Sequence, residues 1–347
     1  MRRITTVAMG LVAALTLLAA AAVVGVPGPT PAAAADAERG VYGYSLHTAD
    51  NGQTCSLVLI DFATGDVQDL PAPASAEACA YDLAVTPDDT ARGFRKIDPT
   101  LTDEALPTTV ASRYITTTIG SLIDFAVDGT ATRTDVKFPE DYLVDFTLPS
   151  MLAGLAIDAD GTHFVMISGM WVDVTTCLPG VGLAAVDVEA ADGLYNWSSC
   201  LFTLDPTTGD LTLVGPTRVD IDDFLGLSIG STGAVTMAYD GGHDPLEPLA
   251  IPPTDAYWST VDTTTGEVTK STVGYPVSNG YYDQLRSQPT IYALARNIDN
   301  NTLSTATVDP LTGTITPMAT VAAPANVMQA VLGVFLGPEP ARPTFTG

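Results

Sequence analysis

One short unit recurs along this chain: an alternating apolar run, then Asp-x-x-Thr-Gly, then a second alternating run. The Asp and Thr side chains can bond backbone groups within a turn, and Gly adopts the positive φ that closes a short loop. β-Branched residues on both sides of the turn favour strands. The unit therefore predicts a β-hairpin in which the Asp has a structural role. Its copies begin at Asp61, Asp205, Asp262 and Asp309, and a degenerate copy covers Ile123–Gly129.

A second unit precedes these hairpins and consists of a short apolar run, a polar turn and another apolar run. Two hairpins per unit form a four-stranded antiparallel sheet, which is the blade of a β-propeller. The sequence therefore predicts an all-β fold, a five-bladed β-propeller of four-stranded antiparallel blades, over residues 41–337. The opening runs of these units are Tyr81–Val85, Ala153–Ile157, Leu225–Ile229 and, as a looser copy, Tyr282–Leu285.

The two ends of the predicted propeller complement each other. Val41–Leu46 is typical of a second strand with no first strand before it, and Val331–Leu336 of a first strand with no hairpin after it. Pairing of these N- and C-terminal strands completes one blade and removes the edge that an open sheet leaves exposed. We expect the ring to close in this way.

The Asp-x-x-Thr-Gly hairpins resemble the blades of secreted bacterial propellers, among them the quinoprotein-like and lactonase-like groups. The Trp that usually closes a quinoprotein blade is missing, because Leu213-Val214 and Val268-Thr269 stand in its place. This departure argues against a quinone, and we expect no cofactor. Calcium stays open as a ligand, since Asp158–Gly161 is similar to the start of a calcium loop but lacks the later ligands.

An export signal is predicted at the N-terminus. Arg2 and Arg3 precede the apolar stretch Val7–Val26, and the small residues Ala33–Ala35 form a cleavage signal. We interpret residues 1–35 as a signal peptide, 36–40 as a short linker and 338–347 as a C-terminal tail, which predicts a secreted, extracellular protein. The alternative is an uncleaved membrane anchor, because about 20 apolar residues can just span a bilayer.

The chain is strongly acidic, with a formal net charge of -26. Binding to nucleic acid or to an anionic membrane requires Lys and Arg to neutralise phosphates. The acidic charge therefore predicts that neither is a partner. We expect a monomer that meets a neutral or cationic ligand, either a glycan or a protein. The alternative is that the charge serves solubility alone.

The four cysteines form an even set, and in an oxidising compartment two disulfides are the default. Four cysteines allow three connectivities. The pairs Cys55–Cys79 and Cys177–Cys200 close the shortest loops, and we predict these two. No Cys-x-x-Cys spacing in the sequence supports a zinc or thioredoxin-like site.

The two faces of a propeller carry different loops. Loops that join first to second and third to fourth strands share one face, here called the turn face. Second-to-third loops and the links between blades share the other, the insertion face. Long loops on a rigid scaffold are where binding tends to occur. The longest insertions cover roughly Asp98–Ser112, Trp171–Ser199 and Gly241–Ala256, and the predicted ligand-binding residues are Trp171, Tyr195, Trp197, His243 and Trp258. The alternative for each Trp is that its ring fills the gap between blades.

Alignment of the first strands predicts a second candidate site, in the central channel. Asp82 and Asp283 match three glycines at equivalent positions of the other first strands, Gly154, Gly226 and Gly333. The arrangement is similar to five-bladed glycosidases, in which first-strand carboxylates hold a cation or act as an acid/base pair. The alternative is a pair of hydrogen-bonded, structural aspartates.

Two functions remain from this sequence. The first is a secreted binding or interaction propeller, and the second is a propeller hydrolase that acts on a lactone or a glycoside. The sequence contains no His-Glu-x-x-His, Gly-x-Ser-x-Gly, Walker or dinucleotide-binding motif. The absence of these motifs favours a binding protein. The sequence identifies no catalytic residue and no metal ligand.

Overall fold

A computed structural model of the protein describes the residues of the predicted propeller with several gaps. The chain divides into Met1–Glu38 and Arg39–Gly347, and every described residue belongs to the second unit. The predicted signal peptide and C-terminal tail lie outside the described residues. The described ranges are 40–49, 53–96, 115–116, 118–138, 144–145, 152–173, 177–179, 196–217, 223–231, 233–239, 256–274, 280–287, 290–297, 300–324 and 327–337.

The described residues form strands almost throughout, together with one 3-10 turn at Ala76–Ala78. The first strands along the chain are β1 (Gly40–Ala49), β2 (Thr54–Asp61), β3 (Val67–Asp69), β4 (Asp82–Val85), β5 (Ala91–Lys96), β6 (Ile115–Thr116), β7 (Thr118–Phe125), β8 (Ala131–Lys137), β9 (Val144–Asp145), β10 (Leu152–Ile157), β11 (His163–Asp173) and β12 (Leu178–Pro179). The remaining strands are β13 (Asn196–Leu204), β14 (Leu211–Pro216), β15 (Asp223–Gly230), β16 (Gly233–Tyr239), β17 (Ala256–Val261), β18 (Val268–Gly274), β19 (Gly280–Gln284), β20 (Ile291–Asn297), β21 (Thr302–Val308), β22 (Ile315–Ala322) and β23 (Val327–Gly337).

Five antiparallel sheets of four strands each form the blades of a propeller, which confirms the predicted fold. In order from the inner to the outer strand, blade 1 is β23-β1-β2-β3, blade 2 is β4-β5-β7-β8, blade 3 is β10-β11-β13-β14, blade 4 is β15-β16-β17-β18 and blade 5 is β19-β20-β21-β22. Two short additions lie outside this pattern: β12 pairs with β11, and β6 pairs with β9.

Blade 1 contains both ends of the described chain, as predicted. The C-terminal strand β23 pairs antiparallel with β1, and the register runs from Gly40 opposite Gly337 to Thr48 opposite Val327. The rings of Tyr44 and Phe335 stack across this pair with 4.8 Å between their centroids. The ring of blades is therefore closed by hydrogen bonds between the first and last strands.

The turns between third and fourth strands share one hydrogen-bond pattern in blades 1, 3, 4 and 5. In blade 3 the backbone N–H of Thr207 donates to Asp205 Oδ1 over 2.8 Å, and the N–H of Gly209 donates to the Asp205 carbonyl oxygen over 2.8 Å. Gly209 has a φ of 77°, in the region that glycine adopts without strain. The same side-chain bond recurs in three other blades, where the acceptors are Asp61, Asp262 and Asp309. These aspartates are turn residues, as their spacing predicts.

The same turns also join neighbouring blades. The backbone N–H of Lys137, at the end of β8 in blade 2, donates to the Gly209 carbonyl oxygen of blade 3 over 2.8 Å. A Cβ atom on Gly209 would lie 1.8 Å from the carbonyl oxygen of Asp135, so the turn packs directly on the preceding blade. The turns at Gly65 and Gly266 likewise pack on the preceding blade, so these three Asp-x-x-Thr-Gly copies belong to interfaces between blades.

The hydrophobic core is divided among the interfaces between blades. Five clusters of buried residues occur in the described part of the chain, and each cluster takes its members from two neighbouring blades. Between blades 2 and 3, for example, Phe94 and Leu122 pack with Leu155 and Phe202. Successive side chains of a strand point to opposite faces of its sheet, and each face of a blade packs against a neighbouring blade.

Both predicted disulfides are formed. Cys55 bonds Cys79, and Cys177 bonds Cys200, and no cysteine of the chain is free. The first bridge ties β2 to the link between blades 1 and 2. The second ties β13 to the connection that follows β11. Among the described residues, no helix is long and apolar enough to cross a bilayer.

Candidate functional site

The five inner strands β23, β4, β10, β15 and β19 contact one another in a ring and enclose the central channel. Glycines allow two of these contacts to be very close. A Cβ atom on Gly154 of β10 would lie 2.7 Å from the backbone of Gly226 in β15. A Cβ atom on Gly333 of β23 would lie 3.3 Å from the backbone of Ala84 in β4. These glycines occupy the positions that match Asp82 and Asp283 in sequence, so the channel is narrow where the two carboxylates lie.

Asp82 joins the inner strands of blades 2 and 3. Its Oδ2 accepts a hydrogen bond from the backbone N–H of Leu155 over 2.7 Å, and its Oδ1 accepts one from the N–H of Leu83 over 2.9 Å. Leu155 follows Gly154, the residue that matches Asp82 in the first-strand alignment. Both carboxylate oxygens are therefore engaged by backbone donors, one of them in the neighbouring blade.

Asp283 makes the equivalent bond on the other side of the ring. Its Oδ2 accepts from the backbone N–H of Val334 in blade 1 over 2.7 Å. Its Oδ1 accepts from the Ser228 hydroxyl of blade 4 and from the N–H of Gln284, both over 2.8 Å. Val334 follows Gly333, so the two aspartates repeat one arrangement. Each channel carboxylate links the inner strand that carries it to the next one.

The channel shifts the ionisation of both aspartates. Burial raises the pKa of Asp82 well above its usual range, and the charge of Asp283 adds to this effect. Burial likewise raises the pKa of Asp283 to about 6, and the hydrogen bond from Val334 opposes the shift. Desolvation therefore outweighs the hydrogen bonds at both residues. At mildly acidic pH the pair can hold a proton that ordinary surface aspartates have lost.

A histidine with the opposite shift lies between blades 2 and 3. Arg92 donates to His163 Nε2 over 2.5 Å, and its Nε also pairs with Asp124. Because Arg only donates, the neutral His163 ring carries its proton on Nδ1, which lies 2.8 Å from the Gly161 carbonyl oxygen. Burial and the Arg92 charge lower the pKa of His163 to about 4.

These shifts give Asp283 a defined pH dependence. The pKa of Asp283 in the folded protein is about 6, against roughly 4 for an unfolded Asp. Between those values the folded state binds more protons, so the free energy of unfolding contributed by Asp283 decreases as pH rises. We expect the stability of the wild type relative to Asp283→Asn to fall by about 2 kcal/mol from pH 4 to pH 6.

The measurement is urea unfolding of both proteins across that range. Their difference is the useful quantity, because His163 titrates with the opposite sign: its lowered pKa makes stability rise over the same interval. A difference that does not change with pH would show that the Asp283 carboxyl titrates normally.

The predicted ligand-binding residues are only partly described. The backbone places Trp171 opposite Asn196 and Trp197 opposite Met170, so the two tryptophans lie near the insertion-face end of adjacent strands in blade 3. Their side chains lie outside the described part of the structure, as do Tyr195 and His243 entirely.

Trp258 is a buried residue between blades 4 and 5. Its side chain is 2% exposed, and its ring meets Tyr282 edge-on with 4.5 Å between the ring centroids. Val235 and Ile291 pack around it. The ring fills the gap between blades, which is the alternative that the sequence left open for each Trp, and it offers no exposed surface to a ligand.

No group of three or more His, Cys, Asp or Glu side chains that could hold a metal ion occurs among the described residues. In the short turn considered for calcium, Asp158 Oδ1 accepts from the backbone N–H groups of Asp160 and Thr162. These bonds make Asp158 a turn residue in the structure.

Three polar residues near the channel carboxylates were not found from the sequence. Ser228 donates to Asp283, Gln284 donates to the Ser228 carbonyl oxygen over 3.2 Å, and Arg286 extends over the channel. The only sequence signal for the last two is that they follow a channel Asp on a first strand. A polar residue at that position is equally typical of an ordinary turn that has no role in the channel.

No protein-family model matches this sequence, and no match was found among curated proteins. Solved structures with a similar chain path include a protein of Bacteroides fragilis NCTC 9343 provisionally assigned as a 6-phosphogluconolactonase, at 12% identity and a TM-score of 0.37, covering 89% of this chain and 99% of the other. An inulosucrase from Halalkalicoccus jeotgali bound to kestose is 10% identical, with a TM-score of 0.34 and coverage of 82% and 88%. At these values the similarities assign neither a function nor a ligand to this chain.

Proposed function

We propose that this chain is an extracellular binding propeller whose insertion face meets a neutral or cationic ligand, a glycan or a protein. One observation carries the proposal: the connections between second and third strands are long in three consecutive blades and short in the other two. They comprise residues 97–117, 174–195 and 240–255 in blades 2, 3 and 4, against 298–301 in blade 5 and 50–53 in blade 1.

The turn face has no comparably long connections between the described strands. The connections between first and second strands in blades 2 to 5 are short, and those between third and fourth strands are held by their own aspartates. Long loops on a rigid ring are a common means of binding. The asymmetry therefore supports the insertion face as the place of contact.

The net charge supports a neutral or cationic partner, and the disulfides support an extracellular location. A net charge of -26 favours a cationic or neutral ligand over an anionic one. Two disulfides are typical of proteins that fold in an oxidising environment. Secretion through the predicted signal peptide, the monomeric state and the absence of a cofactor belong to the same proposal, and calcium stays open as a ligand.

The test combines a ligand screen with two tryptophan variants. Oligosaccharides and divalent cations are screened by thermal shift on the folded protein, since a ligand that binds only the native state raises Tm. For a compound that raises Tm, Trp171→Ala and Trp197→Ala should weaken the affinity by roughly 1 kcal/mol or more, because the proposal assigns both rings to the binding surface and aromatic rings there anchor ligands. Affinity is measured by calorimetric titration.

Leu311→Ala is the matched control, because Leu311 is 83% exposed and lies in a turn of the opposite face. It should leave the affinity unchanged. The proposal fails if Trp171→Ala and Trp197→Ala bind as the wild type does while Leu311→Ala binds more weakly.

A hydrolase acting on a lactone or glycoside is the second candidate. The observation that favours it is the pair of channel carboxylates with raised pKa values, since an acid/base pair needs one protonated and one ionised member. Asp82→Asn and Asp283→Asn should then abolish hydrolysis of a lactone or aryl-glycoside panel. The hydrolase proposal requires activity in the wild type that both variants lose.

A further inference from the structure

Arg286 follows the inner strand β19 of blade 5 and belongs to the turn that leads to β20. It is therefore a residue of the turn face, three positions after the channel carboxylate Asp283. Its side chain is only partly exposed. A partly buried Arg in a short turn needs a structural reason, because burying its charge without partners is costly.

The partners of Arg286 lie across the channel. Its Nη1 donates to the Thr86 carbonyl oxygen over 2.5 Å, and its Nε donates to the Ile157 carbonyl oxygen over 3.5 Å. Thr86 follows β4 in blade 2, and Ile157 ends β10 in blade 3. In a five-membered ring, blades 2 and 3 are the two that do not adjoin blade 5. The side chain must therefore cross the channel to reach them.

Acidic groups surround the guanidinium at this end of the channel. The charges of Asp283, Asp89 and Asp158 favour the positive charge of Arg286, whereas burial lowers its pKa. Arg286 remains protonated even so, because a guanidinium loses its proton only in strongly alkaline solution. The fork of N–H groups can bond carbonyl oxygens of two strands while its charge balances the aspartates of the turns.

Further side chains form hydrogen bonds between blades at the same end. Gln284 of blade 5 donates to the Ser228 and Gly233 carbonyl oxygens of blade 4, over 3.2 and 3.4 Å. The Tyr44 hydroxyl of blade 1 donates to the Asp89 carbonyl oxygen of blade 2 over 3.1 Å. All five blades thus contribute to one set of side-chain-to-carbonyl bonds, and Arg286 spans its middle.

We propose that Arg286 closes the central channel at the turn face, so that solutes reach Asp82 and Asp283 only from the insertion face. This closure determines the direction of access, and it holds whichever ligand the protein binds. It requires no rearrangement, because the bonds that form it are present in the folded chain.

The test measures how fast the channel carboxylates react. Folded protein is treated with a carbodiimide and a small amine, and the amidation of Asp82 and Asp283 is followed by peptide mass spectrometry. Arg286→Ala should react several-fold faster than the wild type at both residues, because the small side chain leaves the turn-face end open. Arg296→Ala is the matched control: it removes one positive charge from β20 of the same blade and should react as the wild type does.

Asp124 serves as an internal reference, since it pairs with Arg92 at the interface of blades 2 and 3 and lies outside the channel. Its reaction rate should be equal in Arg286→Ala and wild type, and millimolar guanidinium should restore the protection of Asp283 by occupying the vacated place. A parallel acceleration at Asp124 would mean that Arg286 only holds the fold together, and would overturn the proposal. Unchanged rates at Asp82 and Asp283 would overturn it as well.

If Arg286→Ala does not fold, Arg286→Lys replaces it in the same assay. A single ammonium group cannot bond the Thr86 and Ile157 carbonyl oxygens as the fork does. We expect a smaller acceleration at Asp82 and Asp283, again with Asp124 unchanged. Wild-type rates in this variant would count against the closure.

Discussion

The variant Trp258→Ala is expected to lose about 3–5 kcal/mol of unfolding free energy. The Trp258 side chain is 2% exposed and packs edge-on against Tyr282 in the interface of blades 4 and 5. Removing it deletes a large buried ring and leaves a cavity that Val235 and Ile291 can fill only in part. The loss should be among the largest for any single truncation in the described chain.

Urea unfolding with intact disulfides measures this loss, and ligand affinity is measured on the folded variant. We expect unchanged affinity, because the ring lies in the interface and reaches no surface. Val127→Ala is the control for truncating an apolar side chain, since Val127 is 82% exposed, and it should change stability by less than about 0.5 kcal/mol. A Trp258→Ala protein as stable as the wild type would contradict the packing described here.

A comparable loss is expected when Gly209 is replaced by Ala. Two costs combine at this position: the residue has a φ of 77°, and a Cβ atom would lie 1.8 Å from the Asp135 carbonyl oxygen of the preceding blade. A left-handed conformation costs a non-glycine residue roughly 1–2 kcal/mol, and overpacking adds about 1–3 kcal/mol. We expect a total loss of roughly 2–5 kcal/mol in the same unfolding assay.

Gly233→Ala separates the two costs. Gly233 has a φ of 97°, and among the described residues no group beyond its chain neighbours lies within 4 Å of the position its Cβ would take. This variant should therefore show only the conformational cost, about 1–2 kcal/mol. If Gly209→Ala and Gly233→Ala lose the same free energy, the contact between the turn of blade 3 and blade 2 contributes nothing measurable.

The fold was predictable because its determinants are local and repeated. A turn such as Asp205–Gly209 specifies a hairpin by itself, and five such hairpins with their preceding units give the number of blades. The closing pair was predictable for the same reason, since Val41–Leu46 and Val331–Leu336 are each half of the recurring unit. Both disulfides followed from the shortest loops.

The candidate sites were less predictable because they depend on contacts between distant residues. The alignment found Asp82 and Asp283, yet it could not show that their oxygens accept from Leu155 and Val334 in neighbouring blades. A Trp at a strand end is equally compatible with an interface and with a surface, so the sequence could not show that the Trp258 ring is buried between blades. The reach of Arg286 depends on the diameter of the ring, which no local pattern encodes.

The closing pair in blade 1 also determines which face of the propeller carries both ends of the ring. Gly40 and Gly337 are register partners, and they stand where the other blades have the turn between first and second strands. Both ends of the ring therefore leave from the same point on the turn face. A fusion partner or immobilising tag joined directly at Gly40 or Gly337 is attached on the turn face, opposite the insertion face.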